Sequence, residues 1–244
     1  MIINRVSAGI FIIVVLLSWQ MVSSEAGKAK THQLYRGSTE WKDWENRIMS
    51  ELPKQVLQMH EANLKQIPEG MEATDFPLMF EGAGRIERGS AKPLIVVVLS
   101  DLLGGKLVVY EEEGPNDFTT IWVSEETLHD RIGSLGIEDV NKDGKPEILV
   151  HATAGAHGSA LYLYSWEDST AHLFHPNGDT SRTNFVGDGS GVSNQDVDGD
   201  GIQEILCYNR DYDWKYHYLV DYYKWDGKHY VFWKQETGGL IEKK

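Results

Sequence analysis

The chain of 244 residues contains a single cysteine, Cys207, so no intramolecular disulfide can form. An exported chain without disulfides has to fix its loops by other means. Basic residues are scarce as well: 23 Lys and Arg stand against 37 Asp and Glu, a formal charge of −14. That balance excludes nucleic acid as a partner, because phosphate binding needs a basic face. Long apolar runs are missing. The best candidate, Ala8 to Leu17, falls short of the ~20 residues that cross a bilayer. Catalytic signatures are also absent, with no GxSxG elbow, HExxH helix, phosphate loop or dinucleotide fingerprint. Paired acids occur throughout so acidic a chain and do not by themselves indicate a glycosidase. The expectation is a protein that is not an enzyme.

What is present begins with a targeting pattern. Arg5, the apolar run and the small residues of "VSSEAG" read as a secretory signal peptide over residues 1–24, cleaved after Ser24 or Ala26. This predicts a secreted, periplasmic or extracellular protein. An uncleaved anchor is the alternative, and the only route to a membrane association. Removal of residues 1–24 takes away Arg5 alone of the charged residues, leaving 22 cations against 37 acids. A polar linker is expected at 25–37. Over 38–69, Trp41, Trp44, Ile48, Leu52, Val56, Met59 and Leu64 recur at three to five residue spacing behind Ser38, which predicts one or two helices interrupted near Pro53.

From Phe76 onward the texture changes to short runs rich in β-branched and aromatic residues, such as "LIVVVL", "KLVVYEEE", "EILV" and "ALYLYSW", separated by Gly, Asn and Asp clusters. These are strands and turns. A β-repeat domain is assigned to 70–236, followed by a tail at 237–244. Three units share one template of loop, strand, excursion and aromatic hairpin, at about 84–136, 137–193 and 194–236.

The second and third units open on nearly the same sentence, "DVNKDGKPEILV" from Asp139 and "DVDGDGIQEIL" from Asp196, 57 residues apart. Asp139, Asn141, Asp143 and Glu147 occupy positions one, three, five and nine, as do Asp196, Asp198, Asp200 and Glu204. Alternate oxygen-bearing side chains on a curled loop can converge on a hard cation such as calcium, with the main-chain carbonyls of Lys145 and Ile202 as seventh-position donors. Gly144 and Gly201 at position six permit the turn. An EF-hand is excluded, because position twelve holds Val150 and Cys207 rather than an acid. Soft ligands are absent from both loops, which disfavours zinc and copper. The alternative is that such clusters are bare turns. With four carboxylates against three, the second loop is expected to bind more tightly, and affinities of about 0.1 to 1 mM suit an extracellular module.

These two loops resemble the calcium loops of FG-GAP and VCBS-type repeats, which build the β-propeller of integrin alpha subunits and occur in many secreted bacterial proteins. The resemblance covers about residues 84–236. It implies calcium ligation by the eight side chains above, a β-propeller-like fold of about three recognisable blades, open or incomplete, behind the helical segment, and a role in adhesion or recognition. Two features depart from the family: the ninth position holds Glu where Asp is usual, and "FVG" at Phe185 is the nearest approach to the Phe-Gly segment.

Other candidates read more blandly. His151, His157, His172 and His175 lack a zinc spacing and read as loop and hairpin residues. Residues 208–233 hold 11 of the 26 aromatics. They suggest either a hairpin packed between sheets or, with Trp214 foremost, a platform for a glycan or a cell-surface protein. A carbohydrate-binding protein and a secreted hydrolase or lyase on a propeller scaffold are therefore the alternative functions. Cys207 is expected to be a core thiol.

Overall fold

The computed structural model describes residues 30–115, 117–129, 131–154, 157–213 and 216–240. The expected signal peptide and Trp214 lie outside these residues. The described chain is mostly β, with several antiparallel sheets.

Two helices come early. Helix α1 spans Thr39–Ser50, and the Ser38 hydroxyl caps it by accepting from the Trp41 N–H at 3.1 Å. Glu51, Leu52 and Pro53 separate it from α2, Lys54–Leu64. A proline at this junction cannot donate to the preceding turn, so a new helix starts there.

The strands form three sheets. The first holds β1 (Lys30–Gln33), β2 (Met79–Arg88), β3 (Ala91–Ser100), β4 (Gly104–Gly114), β5 (Asp117–Val123) and β6 (Leu128–His129), with β1 to β5 as successive neighbours. The second holds β7 (Ile132–Glu138), β8 (Glu147–Ala154), β9 (Gly158–Glu167), β10 (Thr170–Leu173) and β11 (Phe185–Gly187). The third is the meander β12 (Gly191–Gln195), β13 (Glu204–Asn209), β14 (Tyr216–Trp225) and β15 (Tyr230–Leu240). Within each sheet lies the same four-strand antiparallel meander: β2 to β5, β7 to β10, and β12 to β15.

Residues 30–33, expected within a polar linker, form strand β1 along the edge of β2. All four are exposed, so main-chain hydrogen bonds hold this strand rather than burial of side chains.

The sheets are stacked. Along β3, Ile95, Val97 and Leu99 meet Trp41, Trp44, Ile48 and Val56 of the helices, while Leu94, Val96 and Val98 meet Ile148, Val150 and Tyr162 of the second sheet. The second sheet is likewise covered twice, since Leu149, Leu161 and Leu163 pack against Ile205, Cys207, Tyr223 and Tyr230 of the third. Strands buried on both faces need apolar side chains at successive positions, which is why "LIVVVL" and "EIL" do not alternate.

Candidate metal centre

Each acidic loop joins the first two strands of its meander: residues 139–146 lie between β7 and β8, and residues 196–203 between β12 and β13. In the first sheet the corresponding connection from β2 to β3 is only Gly89–Ser90, with Gly89 at φ +62°. A two-residue turn has no room for four alternating donors. The first meander therefore has the strands of the template without the loop.

The ninth residue of each loop is the first residue of a strand and is pulled fully inside. Glu147 and Glu204 are both 0% exposed. Each accepts from the main chain of position two, Val140 N–H to Glu147 Oε2 at 3.0 Å and Val197 N–H to Glu204 Oε2 at 3.0 Å. Burial pushes the Glu147 carboxyl up to about 8 against the lowering effect of the Val140 hydrogen bond, with Asp143 and Asp139 adding repulsion. Burial is also the main cause that raises Glu204.

Matching Asx-type bonds curl the two loops. Lys145 N–H donates to Asp143 Oδ1 and Ile202 N–H to Asp200 Oδ1, both at 2.8 Å, and Gly144 and Gly201 lie at φ +89° and +83°. A Cβ on Gly201 would fall 1.4 Å from Lys142 Nζ, which crosses from the first loop to the second and donates to the Asp200 carbonyl at 3.3 Å. Gln203 N–H reaches back to the Val140 carbonyl at 2.8 Å. The two loops thus sit side by side and are tied together through main chain and side chain.

They differ at position three. Asn141 is buried and donates its amide to Glu147 Oε1 at 3.1 Å, so both oxygens of Glu147 have partners. Asp198, in the same place, has no hydrogen to give, and Glu204 Oε1 is buried without a hydrogen bond. Asp196, Asp198 and Glu204 bring ligand atoms within 4.8 Å of one another, and among the described residues no other trio of His, Cys, Asp or Glu does so. The first loop's Asp139, Asp143 and Glu147 do not converge this closely. Asp139 Oδ1 is nonetheless buried and unbonded, while its Oδ2 accepts from Gly144 N–H at 3.1 Å.

One residue of this centre escaped sequence reasoning. Lys224, from β14, donates to Asp198 Oδ2 and to Asp200 Oδ2, the latter at 2.9 Å, and its Nζ lies 3.9 Å from Glu204 Oε1. These hydrogen bonds hold the Lys224 ammonium well above its ordinary pKa and lower that of Asp200. Asp200, a sequence-predicted ligand, is thereby drawn to a lysine rather than to its neighbouring acids. Lys145 points away from its loop to Glu167 at 2.8 Å.

The remaining candidates do not form a second centre. His151 is half-buried in β8 and lowered by desolvation, His157 is exposed, His172 lies in β10, and the Nδ1 of His175 contacts the Arg182 carbonyl at 2.7 Å. Cys207 is buried in β13, and burial raises its thiol to about 12. Tyr223, Trp225 and Tyr230 of the aromatic hairpin pack on Phe174 and Phe185, whereas Tyr218, Phe232 and Trp233 are exposed.

Compared with family models, curated proteins and solved structures, the chain finds no match.

Proposed function

We propose that this chain is an exported, non-catalytic β-repeat protein of the FG-GAP/VCBS type whose two acidic loops bind calcium, and that it serves adhesion to or recognition of a glycan or cell-surface protein. The observation that carries the reading is the buried, unbonded Glu204 Oε1 facing the clustered carboxylates of Asp196 and Asp198. A buried carboxylate oxygen without a donor is costly unless a cation lies against it, and the nearest one, the Lys224 ammonium at 3.9 Å, is beyond hydrogen-bond reach. The donor set is oxygen only, which fits a hard divalent ion.

In the second loop, Asp196, Asp198, Asp200, the Ile202 carbonyl and Glu204 would hold the ion. In the first, Asp139, Asn141, Asp143, the Lys145 carbonyl and Glu147 would do so, with the Asn141 side chain turning its oxygen inward. Bound calcium would supply the positive charge that stabilises these crowded acids. Three stacked four-strand meanders suit an open, propeller-like array of three blades, because each blade of a propeller is such a meander.

The test is calorimetric titration of the full chain with calcium, paired with melting in calcium and in chelator. Calcium is expected to raise the melting temperature, and D198A/D200A to remove the second loop's share of that rise. Identical melting curves with calcium and chelator, together with no heat of binding, overturn the reading.

A further inference from the structure

The two loops read alike as sequence but are neutralised differently, and the difference lies on a strand that neither loop contains. In the second sheet Ile148 of β8 pairs with Tyr164 of β9; in the third, Ile205 of β13 pairs with Tyr223 of β14. Glu147 and Glu204 immediately precede the two isoleucines, so the registers superpose and Lys224 stands where the second sheet has Ser165. An uncharged serine beside the first loop and a lysine beside the second match the needs of position three. Asn141 supplies the donor for Glu147 Oε1; Asp198 cannot do so for Glu204 Oε1 and adds a charge of its own.

We infer that the Lys224 ammonium is the resident cation of the second loop, and that a divalent ion enters this loop only by displacing it. The inference rests on the calcium reading above and adds its regulation. The tethered Lys224 ammonium offsets one of the second loop's four carboxylates, an offset that no side chain provides for Asp139, Asp143 and Glu147 at the same register. A divalent ion arriving at the second loop has to break the Lys224 bonds to Asp198 and Asp200, whereas in the first loop, where Lys142 and Lys145 are bonded elsewhere, no ammonium has to be displaced from the acids. The order of affinity suggested by counting acids is thereby reversed. The first loop loads first, and the second responds only at higher calcium, releasing a lysine side chain from β14 as it does so.

Calorimetric titration of the full chain with calcium chloride, wild type against K224S, tests this. Serine is the residue that the second sheet carries at the same register. The wild type is expected to show one tighter and one weaker site, and K224S to tighten the weaker one about ten-fold, a gain that D198N in the K224S background removes. Two sites with unchanged affinities in K224S overturn the role of Lys224 and leave the calcium reading standing. No binding in either protein overturns both. Because K224S leaves the second loop's acids without their ammonium when metal is absent, a measurement on the wild type runs beside it: acetylation by an amine-reactive reagent, read by mass spectrometry. Lys224 is expected to be protected in chelator and labelled in calcium. Equal labelling in both overturns the displacement.

Discussion

Glu147 concentrates the physics of the site in one side chain. It is buried, its neighbours are acids, and its carboxyl is pushed up to about 8, from an ordinary value near 4.5. In the metal-free protein the folded state therefore holds a proton that the unfolded chain has already released. The stability this contributes is complete below pH 4.5 and is lost as pH rises toward 8, with a slope of up to about 1.4 kcal/mol per pH unit. Thermal melts in chelator from pH 5 to 8 are expected to show that decline, and E147Q to flatten it. A slope in E147Q equal to that of the wild type would show that the proton resides elsewhere. At this scale the sequence showed the repeated acids and was blind to their counter-ion. The spacing of Asp, Asn and Glu is local and is written twice, whereas Lys224 follows Glu204 by 20 positions and meets the loop only through the pairing of β13 with β14. Nothing in local spacing marks that lysine as different from the others.

At the scale of elements, the contact between the first two sheets is set by glycine. Gly82 of β2 lies so close to β7 that a Cβ there would come within 2.7 Å of Leu135 Cβ. Both atoms would belong to stiff parts of packed strands, so neither has a flexible end with which to yield. G82A is expected to cost about 1–3 kcal/mol in urea unfolding, while an alanine at Gly114, which has open space around it and no left-handed backbone angle, meets no such wall. A loss in G82A below about 0.5 kcal/mol would mean that the sheets can move apart. Strands such as β3 and β8 were legible because burial on both faces writes an unbroken apolar run. Strand β1 was not, since "KTHQ" pairs through its backbone with all four residues exposed, and its Gln33 amide finds the Leu135 carbonyl only through the fold. The absence of acids from the first repeat was visible, but its cause, the two-residue turn at Gly89, required the register of β2 with β3.

Across the whole molecule, the second sheet is shared. Ile148 and Val150 belong to the core with the first sheet, and the adjacent Leu149 belongs to the core with the third. Neither core can open without disturbing the strand that separates them. Amides at the centres of β3, β8 and β13 are accordingly expected to exchange with deuterium through one common opening, with equal free energies set by global unfolding. Exchange from β13 that is markedly faster than from β3 would instead show the third sheet detaching by itself. The sequence announced three units from their repeated template; that they lean on one another in chain order, with the helices against the first, is a matter of which face each side chain takes.

The covering of β3 by α1 and α2 gives this architecture a direction. The side of the first sheet that another meander would need is already filled by tryptophans, so a longer relative built by duplication has to lengthen past β15. An added member would carry an acidic bend only where its first two strands are joined by a longer connection than the two-residue turn at Gly89.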